Sequence, residues 1–186
     1  MKLRSPFEWL CVPVQKRAFI ALFVLKLFVG ACLFVQGRPL NTDPAPLGIV
    51  SFELAGNLAC AQRIMASWGD MGKVSAGLNL GLDYLFLVAY AACISLACAL
   101  TARGLARRIR SLSVVGLVLA WGQYGAALLD AAENYALIRV LLGSERKAWP
   151  VVARWCAIPK FLIVAAGMAF VLVGAAYCLG SAASRD

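Results

Sequence analysis

The chain has 186 residues, of which 62% are hydrophobic and 15% charged, and its formal net charge is +9. Soluble domains are about 45–50% apolar, so this composition excludes an ordinary soluble domain and predicts a single membrane domain of about four spans. Histidine is absent, so we expect no bound metal, haem or other cofactor. The basic residues lie beside apolar runs rather than in a nucleic-acid-binding pattern, so we expect no nucleic-acid partner.

The first predicted span covers residues 18–36 and follows two basic residues, Lys16 and Arg17. A basic flank before an apolar run is also typical of a cleaved signal peptide. However, Lys26 interrupts the run, which continues past Cys32, and three more apolar runs follow. We therefore expect an uncleaved first helix.

The connection after the first span contains an amphipathic segment. Pro39, Pro44 and Pro46 exclude a regular helix at its start. Over residues 47–68 the apolar residues recur at roughly helical spacing, with polar residues between them. This pattern predicts an interfacial amphipathic helix, between spans one and two, that lies in the membrane interface or packs over the mouth of the bundle.

The remaining spans are predicted at residues 76–101, 111–142 and 150–177. Gly77 and Gly81 form a Gly-x-x-x-Gly pattern, which favours close helix contact at the start of span two. The predicted fold is thus all-α: an integral membrane four-helix bundle with one additional amphipathic helix, and residues 1–186 form one domain.

The distribution of basic residues predicts the topology. Four Lys or Arg residues precede the first span and four more lie within residues 103–110. Because cytoplasmic loops are enriched in such residues, we expect both termini in the cytoplasm and the protein in a membrane, which we take to be a bacterial inner membrane. Membrane lipids are then its immediate partners.

Acidic residues inside the apolar spans predict a site. Asp83, Asp130 and Lys160 lie about 10–15 Å from the outer ends of their helices, at 1.5 Å per residue, so they share one layer. A carboxylate inside a span costs roughly 2.5–3.5 kcal/mol at a helix centre, and therefore needs a partner or a use. We expect Lys160 to pair with Asp130 or Asp83. The full set of candidate ligand-binding residues is Asp83, Asp130, Glu133, Asn134, Lys160, Asn79, Tyr90 and Glu53.

Three interpretations of this site stay open. The first is a binding or transport protein that takes a cation, a proton or an amphiphilic ligand into an acidic pocket in the outer half of the bilayer. The second is an accessory or scaffold subunit that docks a membrane-protein partner and whose buried polar network is structural. The third is a small membrane-embedded enzyme that acts on a lipid, with Asp130 or Glu133 as general acid or base. No catalytic residue is assigned, and the sequence leaves open whether the chain is an enzyme.

Overall fold

The computed structural model describes residues 4–106 and 109–183, with side chains through Tyr177. Four long helices, one short α-helix and one turn of 3-10 helix (Arg38–Leu40) make up this part of the chain, which contains no β-strand. The α-helices are α1 (Val12–Gly37), α2 (Ile49–Glu53), α3 (Leu58–Leu105), α4 (Arg110–Leu141) and α5 (Ala148–Ala183). The four long helices are each long and apolar enough to cross a membrane. The predicted all-α fold with four long apolar helices is therefore confirmed.

The helices extend beyond the predicted spans. Helix α1 begins at Val12 rather than residue 18, and α3 begins at Leu58 rather than residue 76. The sequence prediction followed the apolar runs, whereas hydrogen-bonded helix continues into the polar flanks. Within the basic turn at 103–110, residues 107 and 108 lie outside the described residues, as does the basic residue of the carboxyl-terminal tail, Arg185.

Helix α3 is the centre of the bundle. Helices α1, α4 and α5 all pack against it, and α4 also packs against α5. In the most apolar stretch of α3, 61% of the residues are buried, compared with 6% in α1. Close approach of α4 and α5 depends on Gly167, where a Cβ atom would overlap the side-chain amide of Gln123. Helix α1, in contrast, is a peripheral helix attached to the bundle by one face.

The predicted amphipathic helix over residues 47–68 is not one helix. The chain forms the short helix α2, leaves helical geometry after Glu53, and begins α3 at Leu58. Helix α3 then bends at Gly69, whose φ of 62° and ψ of −169° are outside the helical region. Glycine alone adopts this backbone conformation readily, so these breaks are set by local geometry that the amphipathic pattern does not reveal.

The same segment packs over one end of the bundle. Phe52, Ile64 and Trp68 are buried, and the indole Nε1 of Trp68 donates a 2.8 Å hydrogen bond to the Leu40 carbonyl. These side chains share an apolar core with the carboxyl-terminal part of α4. The segment therefore covers the end of the bundle at which α4 finishes and α5 begins.

Candidate functional site

Four carboxyl groups surround or adjoin a single buried lysine, and we call this group the acidic cluster: Glu53, Asp83, Asp130, Glu133 and Lys160. The Lys160 ammonium lies 2.9 Å from Asp130 Oδ1, 2.8 Å from Glu133 Oε2 and 3.7 Å from Glu53 Oε2. The side chains of Lys160 and of these three acids are at most 11% exposed. The predicted pairing of Lys160 with Asp130 is confirmed, and Glu133 and Glu53 also pair with this ammonium.

The local helix geometry explains this arrangement. Asp130 and Glu133 are three residues apart on α4 and so lie on one face of that helix. This face is directed at α5, where Lys160 lies one residue after Pro159. Only Asp130 accepts a hydrogen bond from the ammonium, because the contact with Glu133 lacks hydrogen-bond geometry despite its short length. Lys160 therefore joins α4 and α5 to Glu53 of α2.

Two further candidate residues position the cluster, and a third does not. Tyr90 donates its hydroxyl hydrogen to Asp130 Oδ2 over 2.9 Å, so both oxygens of Asp130 have partners. Asn134 Nδ2 donates to Asp83 Oδ2 over 2.6 Å. Asn79, however, donates its amide to the Leu33 carbonyl on α1 over 3.1 Å. Asn79 thus ties α1 to α3 and does not donate to a carboxylate.

The acidic cluster has more acids than bases. Among the described residues, Lys160 is the one basic group within 4.0 Å of any of its four carboxyl groups. If all five groups were charged, three negative charges would remain uncompensated in a buried site, which is strongly unfavourable. Burial raises the pKa of Glu53 above its ordinary value, and the Asp130 carboxylate adds to this effect, while the Lys160 ammonium lowers it. Glu53 therefore retains its proton more readily than an exposed glutamate does.

A cavity of about 770 Å³, which we call the side cavity, lies against the acidic cluster. Three of the cluster's carboxyl groups, those of Glu53, Asp83 and Asp130, line it together with Lys160. Glu133 does not belong to its lining and is fully buried behind Lys160. The volume is within the range of about 300–1,000 Å³ that is typical of small-molecule sites.

The rest of the side cavity is mainly apolar and lies between α1 and α5. These two helices both pack on α3 but make no extensive contact with each other. Phe34 of α1 is 69% exposed and Met168 of α5 is 44% exposed, so the cavity opens on the side of the bundle, between these two helices. Its other apolar lining residues include Phe86, Ile94, Phe161 and Val164.

Two basic residues, one on α1 and one directly after its end, also line the side cavity, and the sequence analysis did not assign either to the site. They are Lys26, whose ammonium lies 5.3 Å from the Phe23 ring centroid, and Arg38, whose guanidinium lies 5.3 Å from the Phe34 ring centroid. The only signal in the sequence was their charge within or beside an apolar run. Which face of α1 they occupy depends on how that helix packs on α3.

The ammonium of Lys160 already lies between the carboxylates of Asp130 and Glu133. In the part of the chain that is described, no three Cys, Asp or Glu side chains converge in a way that could hold a metal ion.

Comparison with known protein families, with characterised proteins and with solved structures gives no match to this chain.

Proposed function

We propose that the protein spans a membrane four times and binds a positively charged ligand in the side cavity. Membrane insertion is supported by the surface of the helices. Large apolar side chains such as Phe28 on α1 and Leu172 and Val173 on α5 are 67–72% exposed. Hydrocarbon, unlike water, solvates such a surface without a hydrophobic penalty.

In the proposed topology both termini are cytoplasmic. The basic turn between α3 and α4 is then cytoplasmic, while α2 and the first part of α3 lie at the outer membrane interface. The acidic cluster would lie in the outer half of the bilayer, below α2. This orientation rests on the distribution of Lys and Arg residues.

The observation that carries the binding proposal is the position of Asp83. It is the one carboxylate of the acidic cluster with no described basic group within 4.0 Å, since Lys160 pairs with the other three. It is partly exposed and lines the side cavity. A ligand cation beside Asp83 would compensate its charge, and in a medium of low dielectric constant that attraction is strong.

The same geometry disfavours the two alternatives. A purely structural network would be sealed and saturated, whereas three carboxyl groups of this cluster line an open cavity. The enzyme alternative placed the general acid or base at Asp130 or Glu133. Both oxygens of Asp130 are already bonded, and Glu133 is fully buried away from the cavity.

A thermal-shift measurement on the detergent-purified protein tests the proposal. The ligands are monovalent and divalent metal cations and a series of organic amines, each titrated against wild type, Asp83→Asn and Asp70→Asn. Asp70 is a matched control, because it is an acid of the same helix whose side chain is fully exposed. At a ligand concentration of about 100 times Kd, binding stabilises the folded state by about 2.7 kcal/mol.

The expected result is a saturable rise in Tm of wild type and Asp70→Asn that is lost in Asp83→Asn. A rise of several degrees corresponds to this free energy for a chain of about 150–250 residues. If no cation or amine raises the Tm of wild type, or if Asp83→Asn responds equally, the site does not bind cations and the scaffold interpretation is favoured.

A further inference from the structure

The side cavity has a polar end and an apolar arm. The polar end consists of the acidic cluster residues that line it, with Asn79, Tyr90 and Asn134 beside them. Lys26 and Arg38 line the same cavity but lie outside the acidic cluster. The apolar arm follows α3 from Phe86 to Ile94 and α5 from Phe161 to Met168. Along α3, Ile94 lies eleven residues beyond Asp83, which is about 16 Å of helix. The arm is therefore long relative to a bare cation or a small amine.

The polar end has hydrogen-bond acceptors that lack donors. Glu53 lines the cavity at 9% exposure, yet its Oε2 atom accepts no hydrogen bond. Asp83 accepts one hydrogen bond, from Asn134 to Oδ2, and Oδ1 receives none from the residues that the structure describes. Buried acceptors without donors are unfavourable. A ligand that fits this end brings both positive charge and N–H groups.

The opening favours access from the side of the bundle. The apolar arm lies between α1 and α5, and within the described residues α1 packs mainly on α3. If the helices span a membrane, this gap faces the lipid chains, and α2 covers the end of the bundle above the acidic cluster. A hydrocarbon chain in this gap would be continuous with the bilayer.

From these observations, and resting on the proposed function, we propose that the ligand is an amphiphile with a primary ammonium head and a long hydrocarbon chain. The head binds Asp83 and Glu53, and the chain lies along the apolar arm between Phe86 and Met168. The ammonium supplies N–H donors to carboxylate oxygens and offsets the excess negative charge of the acidic cluster. A free long-chain amine and an aminophospholipid headgroup share this chemistry.

The test compares ligands that differ in one feature. The probes are ethylamine, octylamine, dodecylamine, dodecanol, dodecyltrimethylammonium and a lysophosphatidylethanolamine, each at a fixed mole fraction in detergent micelles that contain the full-length protein. We expect Tm to rise with chain length from ethylamine to dodecylamine. Dodecanol lacks the charge and dodecyltrimethylammonium lacks N–H donors, so neither should raise it.

Two pairs of variants locate the head and the chain. Asp83→Asn should abolish the response to dodecylamine, and Asp70→Asn should preserve it. Val164→Trp places a large ring in the apolar arm and should reduce the response to dodecylamine to that of ethylamine. Leu162→Trp is its control, because Leu162 is on the same helix, 67% exposed and not part of the cavity lining.

The outcomes separate this inference from the function on which it rests. Equal responses to ethylamine and dodecylamine, both lost in Asp83→Asn, would keep the cation site and overturn the amphiphile. An equal response to dodecyltrimethylammonium would overturn the requirement for N–H donors. No response to any amine or metal cation would overturn both proposals.

A response to lysophosphatidylethanolamine that exceeds that to dodecylamine and falls in Arg38→Gln would support the lipid source, since Arg38 lines the cavity and can bind the phosphate. The reverse order, unaffected by Arg38→Gln, would support the free amine.

Discussion

Replacing Lys160 by methionine removes the single cation of the acidic cluster while preserving most of the side-chain volume. The Lys160 side chain is 7% exposed, and its ammonium lies within 4.0 Å of three carboxyl groups. Removing one partner of a buried ion pair leaves charge uncompensated and destabilises by about 3–5 kcal/mol. For a chain of about 150–250 residues, each kcal/mol lowers Tm by about 2–4 °C, so we expect a fall on the order of 10 °C in detergent.

A double-mutant cycle assigns this loss to individual partners. Adding Asp130→Asn or Glu133→Gln to Lys160→Met should recover much of the lost stability, because each change removes a carboxylate that Lys160 neutralised. Recovery with Asp83→Asn should be smaller, since Asp83 is not paired with Lys160. Lys73→Met is the control, because its ion pair with Asp70 is exposed and such pairs contribute little. Additive effects for both Asp130 and Glu133 would refute the ion-pair assignment.

Three further predictions follow from other parts of the fold. Because the pKa of Glu53 is raised in the folded state, the contribution of its protonated form to stability is present at low pH and is lost as pH rises through the folded-state pKa. The Tm of Glu53→Gln should therefore rise relative to that of wild type between about pH 5 and 9. A Tm difference between the two proteins that stays constant with pH would contradict the raised pKa. Gly69→Ala should destabilise by about 1–3 kcal/mol because of the positive φ at this bend, whereas Gly81→Ala, where a Cβ meets no atom within 4 Å, should leave Tm unchanged or raise it in the same melting assay. Reporter fusions after Gly143 should give an outer signal and fusions near Arg107 a cytoplasmic one, and an outer signal at Arg107 would refute the topology.

The parts of the fold that depend on composition along the chain were predictable. Long apolar runs, each containing few charged residues, predict four long helices because their length and composition fit no other secondary structure. The pairing of Lys160 with Asp130 was also predictable, since helix rise converts sequence position into depth. Glu133 lies three residues after Asp130, which is only about 4.5 Å along α4 and within reach of a lysine side chain, so its contact with Lys160 could have been predicted in the same way.

The rotation of each helix about its axis was not predictable. Asn79 was grouped with the carboxylates by its spacing from Asp83, and it lines the side cavity with them, but its amide bonds the Leu33 carbonyl of α1. Gly81 was predicted at a close helix contact, but it has no neighbour there, and Gly167 makes such a contact instead. Lys26 was left out of the site, although it lines the side cavity. Each of these depends on which neighbouring helix a face meets, and that is set by packing between distant segments.

The most direct test of the proposed ligand site is photo-crosslinking with a long-chain primary amine that carries a photoreactive group on its chain, followed by peptide mapping. We predict that labelling concentrates on Phe86–Ile94 of α3 and Phe161–Met168 of α5, is competed by dodecylamine and is lost in Asp83→Asn. Labelling spread over exposed apolar positions such as Leu128 and Leu172, without competition and unchanged in Asp83→Asn, would contradict the account, because the amine would then be partitioning into the surrounding lipid or detergent rather than binding in the side cavity.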